Sequence, residues 1–244
     1  PYHSATNSAV STAFSRLSAN DPDAALRRLE TLPDGQLRTS AISSIASSWS
    51  QMDPDAAMIW AEKLGQGERV KAMCSVRKNI ATTDPKKAAA ALGSVIANAN
   101  ETDLNSLNNS SQVPVSQWAA SDPVSAAAWL AQLPEGQTQT YAVASLASQW
   151  VKADIQRATQ WVQTLPDGKT RDAGAVYIIR ATQKQDPPTA FAWANSLSEQ
   201  QTRYSQISYT LREWKKTNPQ KARAAAMQAD VTESQRENLL RNLQ

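Results

Sequence analysis

Apolar residues run through the chain in two stripes that recur together. Ala41, Ile42, Ile45, Ala46 and Trp49 form one, and Ala142, Val143, Leu146, Ala147 and Trp150 form another at the same spacing. That i, i+3/4, i+7/8 pattern predicts an amphipathic helix. A shorter stripe follows: Ala57, Trp60, Ala61 and Leu64. Between long and short stripes stands Asp53-Pro54-Asp55-Ala56-Ala57-Met58-Ile59-Trp60, which reads D-P-x-x-A-x-x-W. Aspartate is a good N-cap, because its carboxylate accepts from the unpaired N–H groups of the first turn and suits the positive end of the helix dipole. Proline fits the first helical position, where no N–H is needed.

The octet recurs along the whole sequence. Its anchors are Asp21, Asp53, Asp84, Asp122, Asp154, Asp186 and Asn218, at intervals of 32, 31, 38, 32, 32 and 32 residues. Four positions after every anchor stands an alanine. A fixed period of this size predicts stacked supersecondary units. The short helix stops at Leu32-Pro33-Asp34-Gly35, Leu133-Pro134-Glu135-Gly136 and Leu165-Pro166-Asp167-Gly168, with Leu64-Gly65-Gln66-Gly67 as a variant. Proline ends the helix and glycine allows the turn. Each unit is therefore a helical hairpin, too small to bury its apolar faces alone. Tryptophan follows the same register: Trp49, Trp118, Trp150 and Trp214 lie four before an anchor, and Trp60, Trp129, Trp161 and Trp193 seven after one. Rings this large, each burying roughly 150–250 Å², belong where hairpins interlock.

The expected architecture is all-α: a right-handed α/α solenoid of about seven helical hairpins with a C-terminal capping helix. Residues 1–7, with His3, read as a loose end. Residues 8–228 read as a single helical-repeat domain, and 229–244 as the cap. Over 98–114 the pattern breaks, with six extra residues and Pro114 inside an expected helix, which predicts a mobile loop or broken helix. In the cap, Thr232 with Gln235 reads as a capping box, and Leu239, Leu240 and Leu243 as the covering face.

D-P-x-x-A-x-x-W resembles the turn and first-helix start of the tetratricopeptide repeat. The likeness touches all seven units but only about a quarter of each. The period is 32 rather than 34, the first helix stops early at Leu-Pro-x-Gly, and the second carries Trp where that family prefers a small residue. The resemblance implies a concave groove lined by the first helix of each unit, at five and eight residues after the anchor. Here those positions are Leu26 and Leu29, Met58 and Ala61, Ala127 and Leu130, Thr159 and Val162, and Phe191 and Ala194. Leu26, Met58, Leu130, Val162 and Phe191 are the candidate partner contacts among them.

Chemistry narrows the reading. His3 is the only histidine and Cys74 the only cysteine, which argues against a Ser-His-Asp triad, a histidine metal site or an internal disulfide. Cys74 reads as a packed apolar residue. The recurring aspartates read as caps rather than paired catalytic carboxylates. No cofactor motif is present, and no apolar run is long enough to span a membrane. Net charge is +3, too small to favour nucleic acid. It is banded: from Ala88 to Val151 there is no Lys or Arg, while basic residues gather at 69–87 and 203–223. Fifteen before the anchors stand Arg38, Arg69, Arg171 and Arg203, with Gln139 replacing arginine once. These are candidate anion contacts, weighed against pairing with a carboxylate or covering an aromatic ring.

The function these readings favour is a non-enzymatic, monomeric scaffold that binds a protein or peptide. The alternatives are a nucleic-acid-binding solenoid using the basic bands, or an accessory helical domain of a cell-wall glycan enzyme. Starting at Pro1, the sequence reads as a processed or truncated fragment whose upstream signals are unseen. Its Ser, Thr, Asn and Gln content with modest charge favours a bacterial periplasm or envelope over the cytoplasm.

Overall fold

A computed structural model of the chain describes residues 2–90 and 112–243. Every described element is a helix. The chain divides into two compact units, Pro1–Trp118 and Ala119–Gln244, where the sequence reading expects one domain over 8–228. The expected irregular segment 98–114 lies outside the described residues as far as 111.

The first unit holds α1 (Tyr2–Asn20), α2 (Pro22–Glu30), α3 (Gln36–Met52), α4 (Pro54–Glu62) and α5 (Gln66–Thr83), then helical residues 85–90. The unit boundary falls within α6 (Gln112–Ser121), which contains Pro114. The second unit continues with α7 (Pro123–Leu130), α8 (Gln137–Ala153), α9 (Ile155–Thr164) and α10 (Lys169–Thr182). It ends with α11 (Pro187–Asn195), α12 (Gln200–Lys215), α13 (Pro219–Met227) and α14 (Glu233–Asn242). The expected loose end over residues 1–7 is instead the first turns of α1, which starts at Tyr2. No Pro or Gly lies between Tyr2 and Asn20, so a helix nucleated on the apolar stripe propagates outward at little cost.

Over α1–α5 and α7–α13, long helices of 14 to 19 residues alternate with short ones of 8 to 10. Asp-Pro, with Asp154-Ile155 and Asn218-Pro219 as variants, makes one corner between them. At all seven anchors the side-chain oxygen accepts from the amide three residues on, at 2.8 to 3.2 Å. Their backbones share one extended conformation, φ −155° to −137° and ψ 72° to 95°. The anchor amide also donates back to the long helix, as Asp53 does to the Trp49 carbonyl at 2.9 Å and Asp154 to that of Trp150 at 2.7 Å. One residue thus closes a long helix and opens a short one.

The other corner uses glycine for its backbone. Gly35, Gly136 and Gly168 have φ of 145°, 155° and 143°, with ψ near 180°, a region open essentially to glycine alone. The last corner of this kind, Leu197-Ser198-Glu199, has no glycine. There Asp172, buried on α10, reaches across: its Oδ2 accepts from the Ser198 amide (2.8 Å), the Ser198 hydroxyl (2.6 Å) and the Glu199 amide (3.2 Å).

Long helices pack on the next long helix: α1 on α3 and α3 on α5 in the first unit, α8 on α10 in the second. Hydrogen bonds join them about one repeat apart. Ser48 Oγ donates to the Ser15 carbonyl (2.9 Å), Asn79 Nδ2 to the Ser47 carbonyl (2.7 Å), and the hydroxyls of Thr140 and Thr170 are hydrogen-bonded at 3.0 Å. At the C-terminal end Thr232 caps α14 in a capping box with Gln235. Leu239 and Leu243 are buried in the core of this unit, with Leu240 packed against it.

Candidate functional site

The positions predicted to line a groove fall into two rows of different character. Eight residues after the anchor, Leu29, Ala61, Leu130, Val162 and Ala194 are all buried. Five after it, Leu26, Met58, Ala127, Thr159 and Phe191 are all half-buried. The helix period explains the split. The stripe at +4, +7 and +11 has its centre roughly 60° from +8 but roughly 120° from +5. Val162 at 0 % exposure is therefore corrected from partner contact to core, and Leu130, at 2 % exposure, keeps only an edge at the surface. The Val162 Cγ2 methyl lies only 3.0 Å from where a Cβ on Gly174 would stand. Phe191 packs on the core of the second unit, its ring 6.5 Å from that of Trp214.

Of the arginines fifteen before the anchors, Arg38, Arg171 and Arg203 are bound within the chain. Arg38 donates through Nη1 to the carbonyls of Leu29 (2.7 Å) and Leu32 (3.4 Å) at the end of the short helix. Its Nε meets Glu68 Oε1 at 2.6 Å, and that bond, foremost, raises the pKa of the guanidinium. Arg203 donates to the Leu197 carbonyl (2.8 Å) and pairs with Asp230 (3.2 Å). Arg171 binds Asp167 (2.5 Å) and the Ser196 hydroxyl (2.9 Å), and its guanidinium lies 5.5 Å from the Trp193 ring centroid. Arg69 is half-buried on α5. Arg38, Arg171 and Arg203 thus donate to carbonyls at helix ends, which lack a partner within the helix. Another basic group, Arg77, lies fully buried on α5 and donates to Cys74 Sγ at 3.5 Å; burial lowers its pKa.

Gln139 stands in the arginine register and repeats half of the clamp. Its Nε2 donates to the carbonyls of Leu130 (3.4 Å) and Leu133 (3.2 Å), the counterparts of Leu29 and Leu32. The rest of the strap is absent from the sequence here: Thr170 occupies the register of Glu68. A short neutral amide and a hydroxyl replace a long ion pair. A cleft of about 1070 Å³ opens between the two hairpins at this point. Leu130, Leu133 and Val143 supply apolar lining, Ala127, Ala128 and Ala131 leave room, and Tyr141 and Trp161 give aromatic surface. Glu135, Asp167 and Lys169 are its charged groups. Trp161 stacks on Trp150 with ring centroids 5.5 Å apart, and it is half-buried, so the part left uncovered borders the cleft.

Of the +5 and +8 positions expected to line a groove, Ala127 and Leu130 border this cleft; its other lining residues lie outside both rows. The signal was present in the single Gln among the recurring arginines. Among the described residues no cluster of His, Cys, Asp and Glu has the makings of a metal site, and no helix is long and apolar enough to cross a membrane. Set against protein-family models, curated proteins and solved structures, the chain matches none.

Proposed function

We propose that this chain is a non-enzymatic, tetratricopeptide-like scaffold that binds a peptide segment of a partner protein. In this reading the hairpins of each unit stack as a right-handed α/α solenoid, and the chain works as a monomer. The carrying observation is the cleft of about 1070 Å³ between the hairpins of α7–α8 and α9–α10. Its volume is of the size that small ligands and short segments fill. Its mixture of aromatic wall, apolar floor and polar rim suits an extended or turn-forming peptide, with side chains in the pocket and backbone at the rim. The resemblance to the tetratricopeptide repeat, whose members hold peptides, points the same way.

The test is selection of a randomised decapeptide library on the chain and on Ala128→Trp. Ala128 is exposed and lines the cleft, so the indole fills the space without entering the core. Peptides retained by the parent chain and lost by the variant, at equal melting temperature, support the reading. Peptides held equally by both place binding elsewhere and overturn this site.

A further inference from the structure

Arg171 and Gln139 are equivalent residues, and so are all their surroundings. Arg171 is held by Asp167, Ser196 and Trp193. Subtracting 32 from each number gives Gln139 with Glu135, Thr164 and Trp161. The last three all line the cleft. The match extends to hydroxyl geometry: Ser196 Oγ donates to the Trp193 carbonyl at 3.0 Å, and Thr164 Oγ1 to the Trp161 carbonyl at 2.7 Å. Each hydroxyl is thereby turned so that its lone pairs accept from a donor on the other side. In the later repeat that donor is the Arg171 guanidinium. In the earlier one the residue is glutamine, which spends its amide on the Leu130 and Leu133 carbonyls.

Resting on the peptide-binding reading above, we infer that the cleft is specific for a peptide that presents an arginine, whose guanidinium binds among Glu135, Thr164 and Trp161 as Arg171 does one repeat later. The carboxylate supplies a planar, charge-assisted acceptor that fits a guanidinium fork better than an ammonium. The indole supplies a π face, which attracts arginine more often than lysine. Among the described residues Glu135 makes no ion pair, whereas its counterpart Asp167 is taken by Arg171. The tract from Ala88 to Val151 contains no Lys or Arg to compete for Glu135. The opposing group is Lys169, which lines the same cleft and repels a cation; Lys169→Gln therefore tightens arginine peptides.

Gln139→Arg tests the inference from within, since it places the chain's own guanidinium in the site, as Arg171 does. The probes are peptides selected by the parent chain, each remade with citrulline, the neutral isostere, or lysine in place of arginine. Affinity is read by titration calorimetry and folding by thermal melting. The expected result is enrichment of arginine among selected peptides and at least tenfold weaker binding of citrulline forms. Lysine forms bind several-fold more weakly than arginine, and Gln139→Arg loses binding with an equal or higher melting temperature. Glu135→Gln, at an exposed position, weakens arginine peptides about two- to fivefold and leaves citrulline peptides unchanged. Selected peptides that lack arginine, yet are displaced by Ala128→Trp and bind Gln139→Arg as well as the parent, overturn the arginine specificity while the cleft stands. Absence of any peptide sensitive to Ala128→Trp overturns both.

Discussion

At the scale of single residues, the corners and the tryptophans carry the fold. Gly35 has no atom within 4 Å of an added Cβ, so Gly35→Ala isolates the cost of its φ of 145°. A loss of about 1–3 kcal/mol in urea melts is expected from strain alone; no change would mean the corner relaxes freely. Trp150 is 5 % exposed and stacked on Trp161. Trp150→Ala should cost about 3–5 kcal/mol, and a loss below about 1 kcal/mol would remove it from the core. The capping residues were legible from sequence because N-cap and glycine chemistry act within a few positions. The arginines were legible as a recurrence, with carboxylate pairing or aromatic cover as one reading, but which partner each takes was not: Asp167 lies four positions from Arg171, whereas Glu68 lies 30 from Arg38 and depends on how hairpins pack.

Helix by helix, the hairpin is recovered well from periodicity, because the stripe and its two stops are local. What periodicity leaves open is the width of the buried face. The residues eight after each anchor are expected in the groove and are buried, since the flanking long helices cover that side, as α10 does at Val162; Leu130 also borders the cleft. The start of α12 departs from the glycine rule and relies on Asp172. Asp172→Ala should destabilise by about 1–3 kcal/mol, with the earliest hydrogen-exchange change at Ser198–Gln201; uniform exchange changes would contradict a local fastening. Glu199, the N-cap of α12, accepts from the Gln201 and Thr202 amides at 2.9 and 2.6 Å. The Thr202 hydroxyl first, then those amides, holds its carboxyl below its ordinary pKa. A depressed folded value means its contribution is present above the unfolded pKa and disappears as pH falls through the folded one. Glu199→Gln should therefore lower the melting temperature at pH 7 and flatten its fall below about pH 4.5, so that variant and parent converge in acid. An identical acid limb in variant and parent would exclude this role.

Across the whole molecule, the two compact units are made by one rule and differ in how it is filled. In the first, Arg38 and Glu68 strap adjacent hairpins together. In the second, Gln139 and Thr170 stand in those places, and a cleft takes the room. Function, in this account, arises where a repeat omits the side chain that its neighbours use for cohesion. Of the eight tryptophans, Trp161 is the one that lines the cleft, which makes its indole N–H a direct reporter. The measurement is a two-dimensional ¹H–¹⁵N spectrum of the eight indole signals, assigned by Trp→Phe variants and titrated with an arginine peptide selected on the chain. The account predicts that Trp161 shifts most and saturates with the calorimetric affinity, and that Trp150 follows through the stacked pair. It also predicts that Gln139→Arg removes the response. A silent Trp161, with shifts centred on Trp49, Trp60 or Trp214, would contradict it.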